Sequence, residues 1–279
     1  MRLRATVKRG LIALLLSLGV PGLGQIYNGQ LIKAILLFTS IPVFLAISAV
    51  LGLLHTYKGL IVHIASVSCL YLAVGIDAML TAVGLTKSNR IPKHGWHSYV
   101  LAAALLSVST LVFVADLIPD ELPGVHAYKV PFDSMAPTVT SGDRIIADMR
   151  YYKKHLPNRG DVVVLKTPPF DALTIKRVIA VGGDTIEGSP ETTIVNGKVI
   201  REPYLRPVSH GDNLIAESSA EFGPMFIPAN QLFVMGDNRN HSFDSRYPGF
   251  GLVGIERIRA RPLYIYSSND RARIGMAIR

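Results

Sequence analysis

Three apolar runs in the first 118 residues limit what this chain can fold into. They extend from about Ala34 to Leu54, from Leu60 to Leu85 and from Tyr99 to Ile118. Each supplies the roughly 20 residues that a helix needs to cross about 30 Å of hydrocarbon. Mean hydropathy over the 279 residues is +0.33, and the apolar residues crowd into positions 10–118. That asymmetry excludes a simple soluble protein. A fourth run, Leu11 to Val20, is broken by Pro21-Gly22 and is too short to span. More spans follow at once, so it does not read as a cleaved leader. The expected organisation is a transmembrane region over 1–118 with spans at 34–54, 60–85 and 99–118, a linker over 119–126, and an outer domain over 127–279.

Charge sets the expected orientation. Arg2, Arg4, Lys8 and Arg9 precede the first apolar run, and Lys87, Arg90 and Lys93 lie between the second and third spans. Both groups belong on the cytoplasmic side. Three spans then put residues 119–279 outside, with the 11–20 run interfacial or re-entrant. Net charge is +9, and nine of the 29 Lys/Arg against four of the 20 Asp/Glu fall in residues 1–124. The N-terminal excess flanks the spans and the C-terminal excess is diffuse. With no DNA-binding motif visible, nucleic acid is not an expected partner. The single cysteine, Cys69, excludes an intramolecular disulfide. The segment Pro21 to Gln30 resembles a Gly/Tyr motif of small two-helix membrane modules, and it reads here as a Gly-rich turn feeding a span. His63 and Asp116 also lie within or near spans. Asp77 is the odd ionisable group among them, and helix–helix bonding explains it better than ion transport.

After residue 125 the pattern changes. Short β-branched runs (Arg144–Ala147, Asp161–Leu165, Thr174–Val181, Leu232–Met235) alternate with turn signals such as Gly182-Gly183-Asp184 and Gly236-Asp237-Asn238. Thr193 to Ile200 carries Asn196-Gly197 at its centre, a strong hairpin signal. No helical period persists. The expected fold is an all-β domain of antiparallel sheets, with a polar, Pro-bearing, exposed excursion over 204–228.

Three clusters carry candidate chemistry. Ser134 is held between Pro131 and Pro137, which restrict the backbone on either side. Lys176 lies in the run Thr174-Ile175-Lys176-Arg177-Val178-Ile179-Ala180. Period-two alternation puts Lys176, Val178 and Ala180 on one face and Ile175, Arg177 and Ile179 on the other. A lysine sharing a face with Val and Ala suggests burial, which disfavours the ammonium and lowers its pKa. A neutral amine is then available as a base for a serine that has no histidine pattern beside it. Alone, the serine reads as a polar turn residue and the lysine as an edge residue reaching water. The third cluster, Gly236 to Arg246, packs many hydrogen-bonding groups into one loop after an apolar strand.

Together the clusters resemble the type I signal peptidase family, membrane-bound Ser/Lys leader peptidases. The resemblance rests on the Ser-Met-x-Pro-Thr box at Ser134, the strands Gly142–Ile146 and Arg159–Val163, the box Lys176–Asp184, and the box Gly236–Arg246, in that order and spacing. It covers most of residues 127–260. It implies a membrane-anchored chain with a helical transmembrane region followed by an antiparallel β catalytic domain. Ser134 would be the nucleophile and Lys176 the general base and later acid. Ser242 would orient the amine, Asp244 and Arg246 would pair beside the site, and Arg177 and Asp237 would support the same scaffold. The Ser134 amide would donate to the oxyanion. The expected partners are signal peptides of secreted precursors, with small residues near the cut, and membrane lipid. No cofactor or metal is expected. The expected location is the bacterial cytoplasmic (inner) membrane, multi-pass, with the catalytic domain on the periplasmic side.

Two positions depart from the family pattern. Phe132 stands where members often carry a Ser or Thr whose hydroxyl can donate to the oxyanion. Asn240-His241 stands where Asp-Asn is usual, and His241 reads as a solvent-facing loop residue. Two alternatives remain open on the sequence: a self-cleaving Ser/Lys peptidase of the same fold, and a catalytically silent membrane-anchored peptide binder.

Overall fold

A computed structural model of the chain describes residues 2–87, 124–168, 171–189, 192–205 and 221–279. It divides into two compact units, one helical and one made of β-sheet.

The helical unit contains α1 (Arg2–Gly19), α2 (Leu23–Tyr27), α3 (Leu31–Val50) and α4 (Tyr57–Lys87). Two helices, α3 and the Tyr57–Thr86 part of α4, are long and apolar enough to cross a membrane. They carry exposed apolar side chains such as Ile32, Leu36 and Leu72. The expected third span at 99–118, and Asp116 within it, lie outside the described residues. Asp77 makes the helix–helix bonds expected of it: Gln25 Nε2 donates to it at 3.0 Å and Lys33 Nζ at 2.7 Å.

The Pro21–Gln30 segment corrects the reading of a simple turn. Its α2 helix buries Gln25 fully and Asn28 almost fully. Their amides donate to the Val74 and Ala78 carbonyls of α4. Gly24 permits this approach, because a Cβ there would stand 2.2 Å from the Ala13 carbonyl oxygen of α1. Buried amides in an apolar setting must be bonded, so this segment works as a polar clasp between helices.

The β unit holds eleven strands among its described residues: β1 (Val125–Lys129), β2 (Arg144–Asp148), β3 (Val162–Lys166), β4 (Leu173–Val181), β5 (Thr185–Gly188), β6 (Thr193–Val195), β7 (Lys198–Val199), β8 (Phe222–Phe226), β9 (Gln231–Met235), β10 (Val253–Gly254) and β11 (Ile258–Ser267). A seven-stranded sheet runs β1-β2-β11-β3-β4-β9-β10 and a four-stranded sheet runs β7-β6-β5-β8. The pairings are antiparallel. The expected hairpin forms, with Asn196 and Gly197 both at positive φ (53° and 74°) as the tight turn requires.

Three readings need correction. Val125 and His126, read as linker, begin β1. Within the expected exposed excursion 204–228, Phe222–Phe226 forms β8, which pairs with β5; Phe222 is half-buried, the rest of the strand is exposed, and Ile227 after it is fully buried; residues 206–220 lie outside the described set. The strict alternation along β4 also fails. The β4–β9 register shifts between Val178 and Ala180, a bulge that places an extra residue on one strand. Val178 therefore packs in one core with Val163 and Val234, while Ile179 and Ala180 both enter a second core with Ile186, Ile227 and Phe233.

Phe233 is fully buried in that second core and stacks on Phe222, with ring centroids 5.4 Å apart. It joins the two sheets. Phe233→Ala should cost about 3–5 kcal/mol, read as a lower melting temperature of the detergent-solubilised chain. A change within about 0.5 kcal/mol, the range of an ordinary surface substitution, would mean the second core contributes little.

Candidate active site

Strand β4 carries Lys176 into the interior because Val163 of β3 lies opposite it in register and the loop after β9 lies close to its amine. Its side chain is only 2% exposed. The amine donates to the fully buried Ser242 Oγ at 3.0 Å. Burial is the largest influence on this amine and pushes its pKa down to about 8. The Asp244 charge opposes that shift, Arg246 adds to it, and Asp237 opposes it again.

Ser134 opens a turn that runs to Val139. The Ala136 amide donates to the Asp133 carbonyl and the Val139 amide to the Met135 carbonyl. Met135 and Val139 are buried in the core beneath the turn, and Ser134 is half-buried above them. The Asn238 amide donates to the Ser134 carbonyl at 3.1 Å. Gly236 brings the two regions together. A Cβ there would lie 2.3 Å from both the Ser134 carbonyl oxygen and the Ser242 Oγ. Only a glycine lets the serine turn and the lysine's anchor meet across this backbone.

The supporting residues surround that contact. Asp244 is fully buried; it accepts the Gly236 amide at 2.9 Å and the Arg246 guanidinium at 2.8 and 3.0 Å. Arg177 forms a two-pronged pair with Asp237, at 2.8 and 2.6 Å, and donates to the Gly160 carbonyl. Asp237 also accepts the Thr138 hydroxyl at 2.5 Å, tying the pair to the serine turn. The structure thus brings together all seven residues singled out in the sequence: Ser134, Lys176, Ser242, Asp244, Arg246, Arg177 and Asp237.

Sequence reasoning missed several others. Arg239 is buried, pairs with Glu202, and donates to the Gly236 carbonyl. Tyr204 covers the Arg177 guanidinium, 3.9 Å from ring centroid to Cζ, and its hydroxyl donates to Glu202. Arg239 was in plain view within the Gly236–Arg246 box, but its partner Glu202 lies in a polar stretch without pattern. Phe132 is 74% exposed beside the groove that also contains Tyr128, Ser134, Leu173 and Ile175. His241 is half-buried rather than solvent-facing, and its ring makes no hydrogen bond among the described residues. The described residues contain no cluster of three or more His, Cys, Asp or Glu side chains suited to hold a metal.

The arrangement presents a hydroxyl, a desolvated amine and one unused backbone donor. Among the described residues the Ser134 hydroxyl makes no hydrogen bond, and its amide donates to no protein group. Among the described residues the amine's one hydrogen-bond partner is Ser242, so its lone pair becomes available once it is deprotonated.

Comparisons with known proteins give the family. The family model described as signal peptidase, peptidase S26, matches residues 97–266. A Mycobacterium leprae protein named "Probable signal peptidase I" is 39% identical, covering 43% of this chain and 55% of that protein. A Synechocystis protein named "Probable signal peptidase I-2" is 33% identical, covering 59% and 71% respectively. The chain therefore spans little more than half the length of the mycobacterial relative. A solved signal peptidase I from Enterococcus faecalis is 30% identical, with a TM-score of 0.33, covering 38% of this chain and 97% of that one.

Burial of Lys176 has a stability consequence with a definite sign. The unfolded lysine titrates near 10.4 and the folded one near 8. Between those values the unfolded chain binds more protons, so stability rises with pH across that window, by about 3 kcal/mol in all. Below pH 8 the whole penalty is present. Lys176→Met removes it and loses one hydrogen bond, worth about 1 kcal/mol. The variant should therefore melt higher than the parent at pH 7, and the gap should close by about pH 10. A lower melting temperature for the variant at pH 7 would contradict a desolvated ammonium.

Proposed function

Because the chain belongs to the signal peptidase family, peptidase S26, we propose that it is a signal peptidase I. It cuts N-terminal signal peptides from exported precursor proteins by Ser/Lys acyl-enzyme chemistry. The observation that supports this most directly is the buried Lys176 amine, held by Ser242 across Gly236 from the Ser134 turn.

In this reading neutral Lys176 takes the Ser134 proton as Oγ attacks the scissile carbonyl. The Ser134 amide donates to the developing oxyanion, a contact typically worth about 2.7–4 kcal/mol. The Lys176 ammonium then gives its proton to the departing amine, leaving Ser134 acylated by the signal peptide's new carboxyl end. Water attacks that ester with Lys176 again as base. The amine faces Ser242 in the present structure, and such a base commonly meets its nucleophile only once substrate is bound. Asp244–Arg246 and Arg177–Asp237 hold the two loops in register and take no proton. The groove at Tyr128, Phe132, Leu173 and Ile175 would receive the substrate's extended backbone beside the hydroxyl.

The helical unit serves as the membrane anchor. We place residues 88–93, with Lys87, on the cytoplasmic side and the β domain on the outer face, from the distribution of Lys and Arg in the sequence. That places the site where the cleavage point of an exported precursor emerges from the bilayer.

Two outcomes follow. Incubated with a precursor, the parent should release the shortened product, while Ser134→Ala and Lys176→Met should not; cleavage by either variant at the parental rate would defeat the Ser/Lys assignment. The parental kcat/KM should rise with pH through an apparent value near 8, since only the neutral amine can act as base. A limb near 10.4 would mean the amine titrates like a free lysine.

A further inference from the structure

Arg273 lies in the 3-10 turn Arg271–Arg273, beyond the last residue matched by the family model. Asp270 caps that turn by accepting the Ala272 amide at 2.9 Å. The guanidinium points back at the serine turn. Nη1 donates to the Pro137 carbonyl at 3.0 Å, and Nη2 donates to the Thr138 carbonyl at 3.1 Å. Nη2 also donates to Asp143 Oδ2 at 2.8 Å, with Nε 3.2 Å from the same oxygen. The Asp143 side chain is fully buried and that of Arg273 is 14% exposed. Asp143 in turn accepts the Thr140 amide and hydroxyl, at 2.9 and 3.2 Å.

One planar group therefore holds two carbonyls, three and four residues after Ser134, and the acid that precedes β2. Among the described residues no other donor reaches those carbonyls. The turn has separate holds at the Ser134 carbonyl, which accepts the Asn238 amide, and at the Thr138 hydroxyl, which donates to Asp237. Without Arg273 those two carbonyls have no donor among the described residues, and the far side keeps the Val139 amide bond to the Met135 carbonyl, the Ser141 amide bond to Asp133 and the burial of Val139.

We propose that Arg273 is a positioning residue for Ser134, fixing the far side of the nucleophile turn so that its hydroxyl and amide keep the geometry of acylation. This rests on the Ser/Lys reading given above. A displacement of about 1 Å at a reacting group can cost roughly 100-fold in rate, so a grip on the turn is felt in kcat. Lysine cannot replace it: an ammonium is a compact point charge, and it keeps the charge facing Asp143 but loses the rigid fork that reaches both carbonyls. A purely structural ion pair would tolerate that change.

The test compares the full chain in detergent with Arg273→Lys, Arg273→Ala and Ser134→Ala, using one precursor substrate. Arg273→Lys should melt close to the parent but lose about 10- to 100-fold in kcat with KM unchanged, by the same factor at pH 7 and pH 9 because Lys176 is untouched. Arg273→Ala should lose at least as much, and millimolar guanidinium should restore part of it. Parental kcat in Arg273→Lys overturns the proposal. So does a loss that merely tracks the folded fraction and is not rescued by guanidinium. Cleavage by Ser134→Ala, or none by the parent, overturns the Ser/Lys reading first and this inference with it.

Discussion

Lys176 is held 2% exposed with Ser242 as its hydrogen-bond partner, and taking an ammonium out of water is costly. Much of the β domain near the site can be understood from that constraint. The amine needs a strand buried on both sides, which β4 supplies between β3 and β9. It needs a neighbour that can accept a hydrogen bond without bringing a negative charge into contact, and a buried serine does that where a carboxylate would restore the ordinary lysine pKa. The nearby acids, Asp244 and Asp237, are each occupied by an arginine. Their pull on the amine is thereby partly balanced, and burial prevails.

The ion pairs belong to the same economy. A buried pair adds little net stability over apolar packing, but losing one partner is severe. Here each pair also carries backbone: Asp244 takes the Gly236 amide, Arg246 the Arg239 carbonyl, and Arg177 the Gly160 carbonyl. Their value lies in fixing loops that have no strand pairing of their own. Tyr204 and Glu202 extend this outward, linking Arg177 and Arg239 to the residues that follow the β6–β7 hairpin.

Local chemistry made the strands around the site readable in advance. The Val162–Leu165 run is apolar at every position because β3 is covered on both faces, and Asn196-Gly197 marks its hairpin by conformation alone. The ionic partners Arg177, Asp237, Asp244 and Arg246 were legible only through the order and spacing of whole boxes. What the sequence concealed is non-local or locally contradictory. Phe222-Gly223-Pro224 looks like loop, yet β8 pairs with β5 through it. The bulge at Ile179 depends on β9, 50 or more positions away, and not on anything in β4. Arg273 sits 130 positions from Asp143 in a segment of ordinary charged residues, so neither period nor motif could assign it.

Phe132 shows how these constraints divide. The contacts that hold the serine turn among the described residues run through main-chain carbonyls from Asp133 to Thr138, the Asp133 carboxylate and the Thr138 hydroxyl; none uses the side chain at 132. That side chain is 74% exposed, so nothing in the packing requires a small or hydroxylated residue there. A turn held through its backbone keeps the Ser134 amide oriented whatever stands two residues earlier. The position is then free to serve the groove instead, where an exposed aromatic ring next to Leu173 adds apolar surface. In the proposed mechanism, oxyanion stabilisation would lean on the Ser134 amide, and Arg273 at the far end of the turn would help to hold it in place.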